Sequence, residues 1–154
     1  MITLDVHTLR DHVGHEIAVG EWTTISQAQI DQFAEATGDR QWIHVDVERA
    51  AAESPFKATI AHGFLTLSLL SSFLREAIQF TGLRLAINYG LNKVRFVSPV
   101  ASGSRVRARI VAGAVEEVPG GAIQVTWAIA VERETSEKPA CVAEWIVRYY
   151  PSGD

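Results

Sequence analysis

The sequence predicts an α+β fold in which one long antiparallel sheet curls around a buried helix. Four C-terminal segments alternate apolar and polar residues and are separated by turn-forming clusters, the pattern of consecutive hairpins. A segment beginning at Gly63 is apolar on every side for three turns, as a helix enclosed by other elements must be. No internal repeat, low-complexity stretch or linker interrupts the 154 residues, so helix and strands have to bury each other within one domain spanning 1–154.

Each element has its own local cause. Residues 1–15 carry Asp5, His7, Arg10, Asp11, His12 and His15 and read as an exposed N-terminal segment. Glu16 to Ile25 alternates as a strand does. Ser26 then starts a helix, because Ser26 and Gln29 form a capping-box pair and Ile30, Phe33, Ala34 and Thr37 recur at helical spacing. Gly38 ends it with a left-handed C-cap, so Asp39 emerges in a turn with its carboxylate free to point inward. His44 lies in the loop beyond. Asp46 caps a short helix over 47–52, which Ser54-Pro55-Phe56 breaks. After a loop to His62, the apolar helix runs from Gly63 to about Phe80, its first half buried on all sides, with Arg75, Glu76 and Gln79 on a polar side and Gly82 as its stop. The strands follow at about 85–97, 104–115, 122–133 and 140–150. Between them stand Ser98-Pro99 with Gly103, then Pro119-Gly120-Gly121, then Ser136 to Pro139. Arg105, Arg107 and Arg109 alternate with Val106, Ala108 and Ile110, and Ile123, Val125, Trp127, Ile129 and Val131 with polar or small neighbours.

Composition narrows the class of function. A net charge of −4 without basic runs offers no field for nucleic acid or an anionic membrane. The longest apolar stretch, Phe64 to Leu74, is too short to span a bilayer and is interrupted by Thr66, Ser68, Ser71 and Ser72. The N-terminus lacks the basic-then-apolar pattern of a signal peptide, and the single Cys141 has no disulfide partner, so a reducing, cytoplasmic setting is expected. Cys141 stands in a Pro-Ala-Cys-Val-Ala alternation that wants a small apolar group, which makes it a packed thiol rather than a nucleophile.

The chemistry concentrates in Gly38-Asp39-Arg40-Gln41-Trp42-Ile43-His44 and, eighteen residues on, Ala61-His62-Gly63-Phe64-Leu65. A carboxylate and an imidazole five residues apart, ahead of an apolar helix that opens on glycine, form an acid/base pair facing an apolar groove. Taken singly, Gly-Asp is more often a turn whose carboxylate bonds its own backbone, and a lone histidine is more often a satisfied, partly buried ring. Spacing and the downstream helix favour the functional reading. Asp39, His44, Asp46 and His62 fit no tight ligand spacing, so no metal site is expected.

These segments resemble the MaoC-like, (R)-specific enoyl-CoA hydratases of the hotdog superfamily, in which Gly-Asp, a short Asn-Pro-like spacer and His form the first landmark. Ile60-Ala61-His62-Gly63-Phe64-Leu65-Thr66-Leu67 is similar to the second, and Phe96-Val97-Ser98-Pro99-Val100 with Gly103 to the third. Ile87 to Phe96 and Lys138 to Glu144 sharpen the likeness to the NodN-like single-hotdog branch, and it covers nearly the whole chain.

The resemblance implies a hydro-lyase of fatty acid metabolism that adds water to a trans-2-enoyl-CoA, giving the (R)-3-hydroxyacyl-CoA reversibly and without cofactor. Asp39 and His44 would hold one water between them, the carboxylate accepting its proton and one of the pair returning a proton to C2. The Gly63 backbone N–H would steady the thioester oxygen, where free N–H groups and the helix dipole favour negative charge. Ser71 falls where the family places a serine reaching the catalytic carboxylate; its other reading is a hydroxyl bonded to the carbonyl four residues back. Gln41 and His62 would be supporting residues, Gln41 in the spacer and His62 shaping the helix entry, while Trp42 adds bulk near the site. Pro55 to Ile60 and the strand from Asn88 to Arg95 are candidate walls for the pantetheine arm. The resemblance also implies a homodimer with a continuous sheet and two sites. Two alternatives stay open: a 3-hydroxyacyl-carrier-protein dehydratase, docked through a local patch of Arg105, Arg107 and Arg109, and a non-catalytic acyl-thioester binder.

Overall fold

The computed structural model describes residues 1–153. Its main sheet contains β2 (Glu16–Val19), β3 (Thr23–Thr24), β5 (Leu83–Phe96), β6 (Arg105–Val118), β7 (Ala122–Arg133) and β8 (Ser136–Pro151). The strand order is β2-β6-β7-β8-β5, with β3 also on β6, and every pairing in it is antiparallel. The expected wrapped-sheet architecture is therefore present. Inward residues alternate along the hairpins as the sequence predicts: Val106, Ala108 and Ile110 on β6, Val125, Trp127 and Val131 on β7, and Cys141, Trp145 and Tyr149 on β8 are all buried. They pack against Leu65, Leu70, Phe73 and Leu74 of the central helix. Deep in this core the Trp127 indole N–H donates to the Tyr149 hydroxyl at 2.8 Å, satisfying both polar tips. Burial raises the Cys141 thiol to about 11, which keeps it an unreactive apolar filler.

The helices follow their caps. Helix α1 (Gln27–Thr37) starts where the Ser26 hydroxyl accepts the Gln29 N–H and ends at Gly38, which has φ +79° and whose N–H bonds the Ala34 carbonyl. Helix α3 (Val47–Glu53) starts where the Asp46 carboxylate accepts the Arg49 N–H. The central helix is α4 (Gly63–Ser68) continued by α5 (Leu70–Ala77), with Leu69 between them still right-handed.

Several expectations are corrected. His44 lies on a one-turn helix, α2 (Trp42–Val45), rather than in a loop. The central helix stops at Ala77, because Ile78–Thr81 leaves it as strand β4 and pairs in parallel with β1 (Ile2–Asp5). Gly82, at φ +66°, turns β4 into β5 instead of capping a helix. The N-terminal segment is anchored: β1 is followed by a 3-10 helix, Val6–His12, that buries Val6 and Leu9 while His7 and His15 stay exposed. The strand predicted over 16–25 is broken into β2 and β3. The first half of the central helix is also not enclosed, since Phe64 is 66% exposed beside the edge strand β5.

Arg105, Arg107 and Arg109 form no free basic patch. They pair with Glu134, Glu132 and Glu16 at 2.7, 2.7 and 2.8 Å along the outer face of the sheet. Their charges are already matched. No helix among the described residues is long and apolar enough to cross a membrane.

Candidate active site

Four elements meet at the expected residues. Gly38 reverses the chain at the end of α1, and the Asp39 carboxylate accepts the Gln41 backbone N–H at 3.4 Å. The turn bond and the proposed chemistry are thus compatible on one residue, because a carboxylate has acceptor sites to spare. Gln41 contributes this backbone N–H to the turn. The neighbouring Arg40 sends its guanidinium to Glu35 in a two-bond pair, 2.8 Å each, instead of to Asp39.

His44 is buried, and its Nδ1 lies 2.6 Å from the Ile60 carbonyl. A carbonyl only accepts, so Nδ1 carries the proton in the neutral ring and Nε2 keeps its lone pair. Burial is the main influence on this ring and lowers its pKa; the Ile60 carbonyl raises it, His62 lowers it and Asp39 raises it. The ring's own backbone is latched as well. The Gln27 side chain, on α1, donates to the His44 carbonyl at 2.7 Å and accepts the buried Thr59 hydroxyl at 2.5 Å.

His62 stacks on His44 with ring centroids 3.8 Å apart and 24° between planes, and its Nε2 donates to the Asp39 carbonyl at 2.9 Å. One carboxylate oxygen of Asp39 and one ring nitrogen each of His44 and His62 lie within 4.8 Å of one another. Such a trio has the donor chemistry of a metal site. The near-parallel rings argue otherwise, since in-plane lone pairs from stacked imidazoles run side by side rather than converge on one ion. Asp46, the fourth residue weighed as a ligand, is committed to the α3 cap.

Gly63 opens α4, so its N–H has no intrahelical acceptor. A Cβ built there would stand 2.9 Å from the Phe96 ring, so any larger residue at the helix start would have to push that ring aside. His44, Gly63, Ile60, Thr66, Phe96 and Ser98 are among the residues lining a cavity of about 250 Å³. A larger cavity, about 750 Å³, lies further along the same helix between Ser71, Leu74, Ile78, Asn88, Trp145 and Tyr149. Of the candidate walls, Ile60 borders the first and Asn88 the second.

The structure brings Asp39, His44, His62 and the start of α4 at Gly63 together. Within the subunit it does not bring Ser71 to them: that residue sits eight positions, about 12 Å, along the helix from Gly63, and its hydroxyl bonds the Ser68 carbonyl at 3.3 Å. Trp42 is not a wall of the cavity at His44; its ring lies under the Arg49 guanidinium at 4.3 Å. Gln27 is a contributor that pattern reading missed, while Thr59 and Phe96 fall within a candidate wall and the third landmark without their own roles being expected. No local signal marks them, since each acts through a partner distant in sequence.

A family model described as "MaoC like domain" matches residues 9–134. The 3-hydroxyacyl-thioester dehydratase Z of Mycobacterium tuberculosis is 55% identical over 136 residues, covering 88% of this chain and 89% of that protein. Nodulation protein N of Rhizobium leguminosarum bv. viciae is 45% identical over 152 residues, covering 95% and 91%. Among solved structures, an unliganded R-hydratase from Pseudomonas aeruginosa superposes with a TM-score of 0.72 at 26% identity, covering 91% of this chain and 83% of that one. The shared architecture is the hotdog arrangement of sheet around helix.

Proposed function

This chain belongs to the MaoC-like domain family, and from that premise we propose that it is a hydro-lyase interconverting trans-2-enoyl and (R)-3-hydroxyacyl thioesters, with coenzyme A as carrier. The observation that carries the reading is that His44, tied through Nδ1 to the Ile60 carbonyl and so left with its Nε2 lone pair, has a ring nitrogen within 4.8 Å of an Asp39 carboxylate oxygen beside the first turn of α4. A spacing within 4.8 Å suits one water bridging the two acceptors. In hydration that water's oxygen bonds C3, and its proton passes to the dyad. The electron pair of the double bond moves onto the thioester oxygen, steadied by the Gly63 N–H. Neither dyad member holds a spare proton at rest, so the proton returned to C2 is the one taken from the water. Delivery from one side makes the addition syn. A single backbone donor to a developing oxyanion is commonly worth ~2.7–4 kcal/mol, and the acid/base pair ~10²–10⁴-fold.

The site works in a homodimer in this proposal. Strand β5 ends the sheet order with its outer edge unpaired among the described residues, and Leu85, Ile87 and Tyr89 are exposed along it. A fourteen-residue unpaired edge with exposed apolar side chains is a template for another strand, and pairing with its own copy would remove it. The second subunit would also cover Phe64 and the cavity that Ser71 lines. The pairing of Arg105, Arg107 and Arg109 with glutamates takes away the feature that favoured docking to an acidic carrier protein.

The test is loss of enone absorbance when the purified protein meets crotonyl-CoA and a longer trans-2-enoyl-CoA, with product hand read by (R)- and (S)-specific dehydrogenases. Turnover to the (R) alcohol is expected. Tight binding without turnover would instead make the chain an acyl-thioester binder, and oxidation only by the (S)-specific enzyme would refute the stereochemical assignment.

A further inference from the structure

The proposed chemistry needs two groups on different elements to keep one spacing, and a single side chain touches both. His62 donates from Nε2 to the Asp39 backbone carbonyl at 2.9 Å and lays its ring on that of His44, 3.8 Å between centroids. Phe33 of α1 packs against it as well, at 4.9 Å. Two simpler explanations for a histidine here fail. It occupies the N-cap of α4 but makes no side-chain capping bond, where Ser, Thr, Asp or Asn would stabilise the helix. As core filling it is a poor choice, because Nδ1 is buried with no partner among the described residues, whereas an apolar ring would leave no such atom.

We infer that His62 is a positioning residue, setting the separation and orientation of the Asp39–His44 pair by holding the backbone of one and the ring of the other. The inference rests on reading Asp39 and His44 as the dyad. Its two contacts are separable by substitution. His62→Phe keeps a ring to stack on His44 and loses the N–H donor, while His62→Gln keeps an N–H donor and loses the ring.

The two variants have different consequences. The titratable groups facing His44 are Asp39 and His62; Gln27, Ile60, Thr66 and Ser98, from the other elements around it, are uncharged. Removing the stacked ring lets water reach His44 and relieves the burial that favours its neutral form. His62→Gln therefore moves the acid limb of kcat/KM to higher pH. His62→Phe keeps the ring cover and removes only the charge influence of His62 on His44, so that limb moves up less, and kcat falls because Asp39 is no longer held.

The experiment measures kcat and KM against pH for the full-length wild type and both variants with crotonyl-CoA, alongside imidazole ¹⁵N NMR titration without substrate. Misplacement of a reacting group by about 1 Å costs ~10²-fold, so each variant is expected to lose kcat on that order with KM changed less than about threefold. In the titration, the His44 midpoint should rise further in His62→Gln than in His62→Phe. Wild-type kcat in both variants would overturn the inference, as would kcat losses accompanied by lost near-UV circular dichroism and an unmoved His44 titration. Should the wild type turn over no enoyl thioester, the dyad reading fails by itself. The titration then decides the clamp, which an identical His44 midpoint and tautomer in all three proteins would refute.

Discussion

At the scale of single residues, Asp39 and His44 carry the proposed chemistry and differ in how firmly they are held. His44 is fixed at its ring by the Ile60 carbonyl and at its backbone by Gln27, whereas Asp39 sits exposed in a turn and is tethered through its carbonyl by His62. Asp39→Asn, which keeps shape and removes basicity, is expected to lower kcat by ~10²–10⁴-fold, and His44→Ala by a similar factor. Their effects should overlap because both act on one water, so a double mutant as slow as the product of the two losses would argue against a shared role. His44 also sets a pH dependence of stability. Its folded pKa lies below the ordinary value of 6.5, mainly through burial, so the unfolded chain binds more protons in that window. Stability should therefore fall as pH drops through about 6.5 and the range just below it, and His44→Phe should flatten that slope in denaturant titrations from pH 5 to 8. Activity is expected to survive exhaustive chelation, since no step is assigned to a Lewis acid; loss restored by one particular metal would revive Asp39, His44 and His62 as ligands.

At the scale of elements, two glycines convert chain direction into site geometry. Gly38, at φ +79°, ends α1 and delivers Asp39, and Gly63 starts α4 under the Phe96 ring. Gly38→Ala should cost about 1–2 kcal/mol in thermal or denaturant unfolding, the price of a side chain in left-handed backbone. Gly63→Ala meets a half-exposed aromatic ring that can shift, so its effect should fall more on kcat than on stability. Equal unfolding midpoints with a large kcat loss would separate the second from the first. The caps behind these elements were legible locally: Ser26 with Gln29, Gly38 and Asp46 each act within four residues, and each appears as expected. The end of the central helix was not legible. Ile78 to Thr81 continues an apolar run that reads equally as helix or strand, and its pairing with Ile2–Asp5, at the far end of the sequence, decides between them.

At the scale of the whole molecule, the arginines of the outer sheet face are paired with glutamates, and β5 carries exposed apolar side chains at the sheet edge. The ladder of Arg105, Arg107 and Arg109 with glutamates is half-exposed, so single charge reversals there should change stability by no more than ~1 kcal/mol. The β5 edge is different. Ile87 and Tyr89 are 51% and 56% exposed, and a homodimer that pairs β5 with β5 would bury them. Sedimentation of the wild type should give twice the 16.9 kDa chain mass, and Tyr89→Glu should shift it toward monomer with loss of turnover. A monomeric, fully active wild type would sink the two-subunit site.

What the sequence determined by itself was everything carried by short-range periodicity and spacing: the alternating hairpins, the caps, the buried thiol at Cys141 and the candidacy of Asp39, His44 and Gly63. These follow from contacts among neighbours in the chain, or from side chains that must alternate between water and core. Tertiary structure alone decided which of the polar residues meet. It placed Gln27 on the His44 carbonyl from seventeen residues away, seated His62 on His44 and Asp39 together, spent Arg105, Arg107 and Arg109 on glutamates, and left Ser71 bonded to Ser68. Hydrogen bonds and ring stacking act over a few ångströms and are blind to sequence separation, so which partners satisfy a buried imidazole emerges only once the sheet has closed around the helix.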